Sequence, residues 1–416
     1  MAGRELKVAL LGFGTVGSSV ARILGDLKPQ GLILTHVYNR NVARKRVDWV
    51  PSSVIWTESI EDILASDADV VVELVGGLDP AREWVSRAVK ACKAVVTANK
   101  KLIAYHGVEL EKQAREKGVS LLYGAAVAGG IPVIPALRQG FAGDRITRIQ
   151  GILNGTCNFI LSKMENGEEF SDVLKEAQQL GYAEANPSED VDGFDARAKL
   201  VILSRLALRA DVAPEEIPCR SITEVAAIDF EYASSLNCTI RQVARAEFHG
   251  NDFLASVGPV LVPTTSPLAE TRGTENTVVA GGQYAGDVVL SGHGAGGHPT
   301  AVAVVSDLIS IAHGSGTVEL PSRKTTVSGE FLVRHSVRFI VRDQPGIIAE
   351  IALALAEQGI NIHAIFQKPG YGDDRLPFVV TVEPCAGSAL RRALERIGRK
   401  DWLVEKPLDM AVLGGL

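Results

Sequence analysis

Short apolar runs alternate with amphipathic segments over the first 130 residues of the chain. The apolar runs are residues 6–11, 32–38, 69–75, 93–97 and 119–123. Runs of this length that end at glycine or polar residues are typical of strands buried in a parallel sheet. Helical spacing lies between them, most clearly at residues 15–25 and 108–117. This alternation predicts βαβ units, and therefore an α/β domain over residues 1–130 with a Rossmann-type doubly wound parallel sheet.

The pattern changes after residue 131. Residues 145–161 are β-prone over their whole length, whereas residues 170–180 and 194–210 have helical spacing. Further strands are predicted at residues 243–248, 253–262, 277–280 and 287–290. We therefore expect an α+β domain with a mixed sheet over residues 131–312. A helix is predicted at 300–312, and we expect residues 300–320 to pack back on the first domain.

The last part of the chain has a third pattern. Residues 313–335 are rich in Gly, Ser, Thr, Pro and charge, which is typical of a linker. Strand and helix patterns then follow in the order βαββαβ, at residues 336–341, 346–357, 360–367, 375–383, 387–397 and 402–405. This order predicts a ferredoxin-like domain over residues 336–416.

Composition narrows the class of function. The 416 residues include 43 Lys and Arg against 49 Asp and Glu, so the net charge is −6. This balance argues against a general nucleic-acid or anionic-membrane surface. No apolar stretch has the roughly 18 residues that a membrane span needs, and the N-terminus lacks a signal-peptide pattern. The five cysteines are scattered without a CxxC pair, so neither zinc nor disulfides are indicated, and we expect a cytoplasmic protein.

A glycine-rich turn follows the first predicted strand. Its sequence fits GxGxxG and comprises Gly12, Phe13, Gly14, Thr15, Val16 and Gly17. The motif alone could be a simple tight turn. Because this copy opens the first helix of a βαβ unit, it predicts a site where a dinucleotide pyrophosphate meets the helix N-terminus.

The end of the second predicted strand bears on the choice of coenzyme. An NAD-binding domain would carry an acidic residue there for the ribose 2′-hydroxyl. Here Arg40 stands at that point, and residues 44–46 are basic. The basic residues could be an ordinary solvated loop. We favour NADP over NAD, with Arg40 contacting the 2′-phosphate.

Two further segments carry candidate chemistry. Thr97 and Lys100 follow the fourth predicted strand, at the edge of the sheet where ligands of open α/β sheets bind. Asp195 and Lys199 are four residues apart on a predicted helix within a segment rich in carboxylates. They could form an ordinary surface ion pair. Since a largely apolar run follows Lys199, this lysine is also a candidate general acid or base.

The ordered set of motifs strongly resembles homoserine dehydrogenase. The resembling segments are GFGTVG at 12–17, TANK at 97–100, AAVAGGIP at 125–132, GILNGTCNFIL at 151–161, GYAEANPSEDVDGFDARAKL at 181–200 and GAGGHPTA at 294–301. The C-terminal unit resembles an ACT domain in its segments Arg342–Gly346 and Gly359–Ile362. The resemblance covers nearly the whole chain and is that of the long, regulated form.

The resemblance implies NAD(P)H-dependent reduction of L-aspartate 4-semialdehyde to L-homoserine, reversibly, in threonine, methionine and isoleucine biosynthesis. It implies that Lys199 is the acid/base residue with Asp195 as its partner. It also implies substrate contacts by Glu184, Asp190 and Lys100, and cofactor contacts by Thr97, Lys100 and Gly296. It further implies that residues 131–312 are the catalytic and dimerisation domain, which forms a homodimer through its mixed sheet, and that the whole protein is a homodimer or homotetramer. Threonine is the implied effector of the ACT unit, at a site lined by residues 342–346 and Asn361.

The chain departs from the family pattern at two places. The family often carries Glu, which helps to hold a monovalent cation, where this chain has Gly124. The backbone carbonyls of Val127, Gly129 and Ile131 could still bind sodium. His293 and His298 stand in the late glycine turn where apolar residues or proline are usual, and we assign them no role.

Three alternatives remain open from the residues. Another amino-acid-pathway dehydrogenase with an ACT tail is disfavoured by residues 181–200. A catalytically silent nucleotide-sensing regulator is disfavoured by the joint presence of Glu184, Asp195 and Lys199. The ACT unit could also serve assembly alone, because a fold does not dictate a function.

Overall fold

The computed structural model describes residues 5–29, 31–314 and 321–414. The strands are β1 Leu6–Leu11, β2 Leu32–Tyr38, β3 Ile55–Thr57, β4 Val70–Glu73, β5 Ala94–Thr97, β6 Leu121–Leu122, β7 Ile146–Ile152, β8 Ala210–Asp211, β9 Cys238–His249, β10 Asp252–Pro263, β11 Glu275–Gly282, β12 Gly286–His293, β13 Arg323–Lys324, β14 Val333–Val341, β15 Ile362–Gln367, β16 Leu376–Cys385 and β17 Leu408–Val412.

The helices are α1 Thr15–Leu27, α2 Val42–Lys45, α3 Ile60–Ala65, α4 Ala81–Lys90, α5 Lys100–Lys117, α6 Val133–Pro135, α7 Gly155–Met164, α8 Phe170–Gln179, α9 Ser188–Val191, α10 Phe194–Leu208, α11 Ala227–Ser235, α12 Gly297–Ala312, α13 Ile347–Ala356 and α14 Gly387–Ile397. Among the residues described, no helix has both the length and the apolar character needed to cross a membrane.

The chain forms two compact units, each assembled from three segments. Unit 1 comprises residues 1–149, 197–216 and 274–325, and unit 2 comprises residues 150–196, 217–273 and 326–416. Neither unit is a continuous stretch of chain. Helix α10 begins in unit 2 and continues in unit 1.

Unit 1 contains a six-stranded parallel sheet in the order β3-β2-β1-β4-β5-β6. This is the predicted Rossmann-type sheet, and strands β1 and β2 have the predicted bounds. The strand order reverses between β1 and β4, and the crevice beyond their carboxyl ends is where such sheets bind ligands. The architecture therefore places the glycine-rich turn after β1 at the predicted ligand edge.

Helix α12 belongs to the core of unit 1 although it comes late in the chain. Its buried residues Ala301, Val304 and Leu308 pack in one cluster with Val8 of β1 and Val20 of α1. Burial of such apolar side chains contributes about 25 cal/mol per Å² removed from water. The apolar face of α12 therefore stabilises the nucleotide-binding sheet. In the same unit, β11 and β12 form an antiparallel hairpin.

Unit 2 contains a mixed sheet whose strands are ordered β9-β10-β17-β14-β16-β15. The last strand of the chain, β17, pairs parallel with β10 and antiparallel with β14. Strands β14, β15 and β16 with helices α13 and α14 form the predicted ferredoxin-like fold around their own core. Because β17 joins the two groups of strands, the C-terminal fold and the middle segment share one sheet.

Two predicted elements are wrong. Residues 155–161 were predicted as strand, but they form α7, whose N-cap Asn154 accepts a hydrogen bond from the backbone N–H of Cys157. The predicted last strand at 402–405 is not a strand, because the ladder forms farther on, at β17. Pro407 lacks a backbone N–H and precedes Leu408, where pairing with Arg338 begins.

The predicted linker is partly structured. Residues 315–320 lie outside the described residues. Strand β13 pairs with β8 in unit 1, and β14 begins at Val333 in unit 2.

Candidate functional site

The glycine-rich turn of unit 1 has the geometry that dinucleotide binding requires. Gly12 has φ +107°, and a Cβ there would lie 3.0 Å from the carbonyl oxygen of Leu74. A Cβ at Gly17 would lie 2.1 Å from the carbonyl oxygen of Gly12, so the helix can approach the strand only with glycine. A Cβ at Gly14 would meet nothing within 4 Å, which leaves the backbone open toward solvent. Helix α1 carries no acidic residue in its first turn, so its N-terminus can accept a phosphate.

The side chains of the glycine-rich turn differ in how far they are buried. Phe13 is 3% exposed and packs edge-on against Trp56, with ring centroids 4.7 Å apart. Val16 is half-buried against the same core. The carbonyl oxygen of Thr15 accepts hydrogen bonds from the hydroxyls of Ser18 and Ser19. The side chain of Phe13 is therefore part of the core.

Arg40 lies just beyond the end of β2 with an exposed side chain. The backbone around it is held by its neighbours: the N–H of Asn39 bonds to the carbonyl of Thr57, and Asn41 caps α2. Because β2 is adjacent to β1, Arg40 stands at the same edge of the sheet as the glycine-rich turn. The loop geometry therefore does not depend on the guanidinium of Arg40.

A buried glutamate that belongs to none of the sequence motifs organises the carboxyl edge of the sheet at the end of β4. Glu73 ends β4, is fully buried, and accepts hydrogen bonds from the N–H groups of Val75 and Gly76 at 2.9 and 3.0 Å. Its other oxygen accepts from the hydroxyl of Thr97 at 2.5 Å. Thr97 in turn accepts from the N–H of Asn99, the N-cap of α5. A lone carboxylate ending a run of valines was the available signal in the sequence.

This network sets the start of helix α5, whose first residue is Lys100. Asn99 donates to the carbonyl of Gly77 at 2.6 Å and accepts from the N–H of Leu102 at 3.1 Å. Lys100 is partly buried at this N-terminus. The predicted pair Thr97 and Lys100 thus lies at the ligand edge of the sheet in unit 1.

The late glycine turn packs against the first turn of α1. Gly296, with φ +114°, precedes α12. A Cβ on the next residue, Gly297, would lie 2.8 Å from the hydroxyl oxygen of Ser19 and 3.0 Å from the carbonyl oxygen of Thr15. The structure therefore brings the late glycine turn, in which Gly296 precedes Gly297, beside the first turn of α1. His293 accepts a hydrogen bond from the N–H of Gly130 through its backbone, and His298 lies in the first turn of α12.

A second buried carboxylate explains the glycine at position 124. Asp307 of α12 accepts a hydrogen bond from the backbone N–H of Gly124 at 2.7 Å. A Cβ at position 124 would lie 2.9 Å from an oxygen of Asp307, so the carboxylate occupies the space of a side chain there. Burial raises the pKa of Asp307 to about 6, although the hydrogen bond from Gly124 and the charge of Arg138 oppose the shift. The carboxylate comes from a helix about 180 residues later in the chain.

Two carboxylates of unit 2, those of Asp190 and Asp195, accept hydrogen bonds from the same asparagine. The side-chain amide of Asn154 donates to Asp190 at 2.6 Å and to Asp195 at 2.9 Å. The carbonyl oxygen of Asp190 also accepts from Gln242 at 3.3 Å. Burial, followed by the charges of Asp190 and Asp195, raises the pKa of the Cys157 thiol, so this cysteine stays neutral. Asn154 belongs to the segment GILNGTCNFIL, but the sequence did not distinguish it from its neighbours.

The remaining predicted residues are placed as follows. Glu184 is exposed in the turn before α9, and its backbone carbonyl accepts from Gln178 at 3.1 Å. Asp195, which is 4% exposed, and Lys199 are both on α10. The structure joins Asp190 and Asp195 through Asn154 and does not include Glu184 in that hydrogen-bond group.

The part of α10 that belongs to unit 1 is fastened to α5. Arg205, 5% exposed, donates to the carbonyl oxygens of Ile103 and Ala104 at 3.0 and 3.2 Å. Its guanidinium also bonds to Asp211. These contacts hold the helix that carries Lys199 against the helix that begins at Lys100.

No cluster of three or more His, Cys, Asp or Glu side chains suited to a metal ion occurs in the described part of the chain. The cation ligands predicted from the sequence are the backbone carbonyls of Val127, Gly129 and Ile131. Of these, the carbonyl of Ile131 accepts a hydrogen bond from the N–H of Val133 at 2.7 Å.

Three family patterns cover most of the chain. Residues 12–124 match the homoserine dehydrogenase NAD-binding domain, residues 132–309 match homoserine dehydrogenase, and residues 335–399 match the ACT domain.

Known relatives are similar in sequence to this chain along nearly its full length. The chain is 37% identical to a homoserine dehydrogenase of Synechocystis sp., with 98% of this chain and 99% of the relative covered. It is 39% identical to one of Mycobacterium tuberculosis over 88% of this chain and 87% of the relative. The crystal structure of a homoserine dehydrogenase from Thiobacillus denitrificans superposes with a TM-score of 0.90 at 33% identity, covering 99% of both chains. A hyperthermophilic archaeal homoserine dehydrogenase in complex with NADPH has a TM-score of 0.66 at 27% identity, covering 76% of this chain and 100% of that chain.

Proposed function

The chain belongs to the homoserine dehydrogenase family and is an oxidoreductase, and from this premise we propose how its residues perform the reaction. The reaction is the reversible reduction of L-aspartate 4-semialdehyde to L-homoserine. Two observations, one in each unit, carry the proposal: unit 1 has a glycine turn suited to a dinucleotide, and unit 2 has the carboxylates of Asp190 and Asp195 bonded to Asn154. The alternative of a catalytically silent nucleotide sensor gives no role to the hydrogen-bonded carboxylates of Asp190 and Asp195.

The test of the activity is NADP⁺ reduction with L-homoserine as substrate, with malate and glycerate as controls. Homoserine alone should support turnover. Turnover with malate or glycerate at a similar rate, or none with homoserine, would contradict the proposed reaction.

The catalytic roles follow from charge and proton handling. A bound nicotinamide supplies the hydride, and the protein orients the substrate and moves the proton. Lys199, as an ammonium, would stabilise and protonate the aldehyde oxygen as negative charge develops there. Asp195, four residues earlier on α10, would favour the charged form of Lys199. In the direction of homoserine oxidation Lys199 must be neutral, so alkaline pH should favour that direction.

The substrate contacts are assigned by charge. Asp190 would lie in the substrate pocket with its orientation set by Asn154, and Glu184 would bind the substrate ammonium group. Lys100, at the start of α5, would face both cofactor and substrate. For the coenzyme we propose a preference for NADP(H), with NAD(H) as the weaker alternative, because Arg40 stands exposed where an acidic residue would select NAD.

A monovalent cation, which we take to be sodium, is proposed near residues 124–131 with Asp307 as its carboxylate. The buried Asp307 lies where a side chain at position 124 would be, so it compensates for the glycine there. A nearby cation would stabilise its ionised form. The carbonyls of Val127, Gly129 and Ile131 would complete the site.

We expect sodium chloride to raise the melting temperature of the wild type relative to choline chloride at equal ionic strength, and Asp307→Asn to remove most of that rise. The pKa of Asp307 is raised to about 6, so without a cation the native state keeps its proton longer than the unfolded chain does. Stability therefore falls as pH rises from the ordinary value of 3.8 to about 6, and the sodium effect should be larger above pH 6 than below it.

The matched control is Asp287→Asn, which removes an exposed carboxylate paired with Arg148 at 2.6 Å. Its sodium-dependent rise should equal that of the wild type. An undiminished rise in Asp307→Asn would show that Asp307 takes no part in cation binding.

The ACT domain supports regulation by an amino acid, and we propose threonine as the effector. Residues 342–346 and Asn361 would line the site at an interface between two chains of a homodimer or homotetramer. Gly346 has φ +99° and precedes α13, while Asn361 is exposed at the start of β15. Strand β15 lies at one end of the strand order in unit 2 and could meet a second copy.

Removal of the chain after residue 330 would not be a clean test of regulation. It would delete β17, expose β10, and take Leu408 and Met410 out of the core that they share with α7 and α8. It would also leave the buried Asp229 without Arg338, which donates to it at 2.5 Å. Loss of one partner from a buried ion pair is strongly destabilising.

We therefore expect Asn361→Ala to raise the half-inhibitory concentration of threonine at least about tenfold, which corresponds to a lost hydrogen bond to a charged group. The uninhibited kcat should not change, because the carbonyl of Asn361 accepts a hydrogen bond from the backbone N–H of Glu383 within the ACT fold, and this contact does not involve the side chain that is removed. Asp374→Asn, in an exposed turn of the same fold, is the control. If threonine leaves the wild type unaffected, the C-terminal fold serves another ligand or assembly alone.

A further inference from the structure

Two loops at the ligand edge of the six-stranded sheet are joined by a closed ring of hydrogen bonds. The loops follow β4 and β5, whose last residues, Glu73 and Thr97, are direct partners in the parallel ladder between the two strands. One oxygen of Glu73 accepts from the N–H groups of Val75 and Gly76, and the other accepts from the hydroxyl of Thr97. Because Glu73 is fully buried, it holds both loops from the interior of the domain.

Asn99 closes the ring between the two loops. Its N–H donates to the hydroxyl oxygen of Thr97 at 3.0 Å, and its side-chain amide donates to the carbonyl oxygen of Gly77 at 2.6 Å. The ring therefore runs from Glu73 through Thr97 and Asn99 to Gly77, and it returns through the backbone of Gly76. Neither loop can shift against the other without leaving a polar group of this ring unpaired, which is costly for buried groups.

The outer surface of the loop after β4 is open. Val75, Gly76 and Gly77 are exposed, although Glu73 and Asn99 bond to their backbone from the buried side. Gly76 and Gly77 both have φ +73°, a left-handed conformation that favours glycine, and a Cβ on Gly76 would meet nothing within 4 Å. Backbone that is fixed in advance loses little conformational freedom when a ligand binds to its open side, so this loop is suited to ligand binding.

The place of the ring in the sheet indicates which half of the coenzyme it serves. A doubly wound sheet of this strand order has two mononucleotide-binding halves that meet at the switch point. Here one half is β1–β3, which includes Arg40 after β2, and the other is β4–β6, which carries the ring. Since Arg40 is assigned to the adenosine ribose, the loops after β4 and β5 belong to the nicotinamide half.

We propose that Glu73 is a positioning residue for the nicotinamide half of the coenzyme. It acts through the backbone of residues 75–77 and the hydroxyl of Thr97, which the ring holds in place before the coenzyme binds. The inference rests on the coenzyme assignment of the proposed function, but it does not depend on the identity of the substrate.

The test is calorimetric titration of the full-length protein with NADP⁺ and with 2′,5′-ADP, which carries only the adenosine half of NADP⁺. Glu73→Gln keeps one acceptor oxygen and presents a donor in place of the other, so at least one of the hydrogen bonds from Val75, Gly76 and Thr97 is lost. The Kd of NADP⁺ should rise at least about fivefold. The Kd of 2′,5′-ADP should change less than about twofold, because distant sites are independent. NAD⁺ and ADP, titrated in parallel, should give the same contrast.

Asn99→Ser opens the ring at a second point and stands as a separate test if Glu73→Gln fails to fold. Serine is also a good N-cap, so α5 keeps its cap, but the amide that bonds to Gly77 is removed. This variant should also weaken NADP⁺ at least about fivefold and leave 2′,5′-ADP unchanged. Glu73→Gln with Asn99→Ser should be within about twofold of the weaker single variant, because residues of one network are not additive.

The matched control is Asp69→Asn at the opposite end of β4, where the carboxylate accepts from the N–H of Lys7 at 2.9 Å. It should bind both ligands like the wild type.

Two results would overturn the proposal. Unchanged NADP⁺ binding in Glu73→Gln and Asn99→Ser would mean that the ring serves the fold alone. Equal weakening of NADP⁺ and 2′,5′-ADP would mean that the ring supports the whole sheet. Failure of the proposed function would appear elsewhere, as absent homoserine-dependent NADP⁺ reduction in the wild type.

Discussion

Lys199→Ala is expected to lower kcat by about 10²–10⁴-fold, the usual contribution of a general acid or base. The affinity for NADP(H) should change little, because the glycine turn that would hold the coenzyme is built from α1, β1 and α12. Fold should be retained, since α10 is anchored after residue 199 by Arg205 and its bonds to α5. Stopped-flow and steady-state assays of homoserine oxidation would measure the loss.

Two comparisons make the Lys199 experiment specific. Lys101→Ala removes a lysine next to the ligand edge for which we assign no chemistry, and it should retain near wild-type turnover. Asp195→Asn should lower activity less than Lys199→Ala, because the amide can still bond to Asn154 while losing its charge. A Lys199→Ala enzyme that turns over within about threefold of wild type would remove this lysine from the proton-transfer role.

Arg40→Ala is expected to shift the ratio of NADP(H) to NAD(H) affinity by about tenfold to a hundredfold toward NAD(H), since a charge-assisted contact to phosphate contributes about 1.5–3 kcal/mol. The loop should keep its shape, because the N–H of Asn39 and the side chain of Asn41 hold it without Arg40. Binding of both coenzymes by fluorescence titration would measure the ratio.

Arg46→Ala, which ends α2 on the same loop, is the control for the general effect of removing a positive charge. It should weaken NADP(H) far less than Arg40→Ala does. An equal loss for both coenzymes in Arg40→Ala would mean that Arg40 merely supports the loop, and a wild type that strongly prefers NAD would contradict the assignment before any substitution.

The order of strands and helices in the nucleotide-binding sheet follows from local sequence. Strands β1 and β2 were predicted with their observed bounds, because buried parallel strands are short apolar runs that can be recognised without their neighbours. The glycine-rich turn could be predicted equally well, because the motif needs only a strand before it, a helix after it and three glycines at fixed spacing. The ferredoxin-like fold also follows from its βαββαβ pattern.

The secondary structure of elements that depend on a helix cap or on a distant strand could not be predicted from the sequence. Residues 155–161 are β-prone, yet Asn154 caps them into helix α7, where four of them are buried. The last strand was placed at 402–405, but β17 forms at Leu408–Val412 because β10 and β14 both offer it hydrogen bonds there. Intrinsic preference is weak beside such tertiary pairing.

The sequence by itself determined the fold class, the family and the segments that carry the predicted cofactor-binding and catalytic residues. These features depend on short motifs and on the spacing of hydrophobic residues, both of which are local in the chain. Only the tertiary structure decided which side chains form hydrogen bonds with the residues of those segments. Glu73 reaches Thr97, Asn154 reaches Asp190 and Asp195, and Asp307 fills the place left by Gly124. Each of these partners is at least 24 residues away in the chain, and buried polar groups find their partners by proximity in space, which spacing in the sequence does not encode.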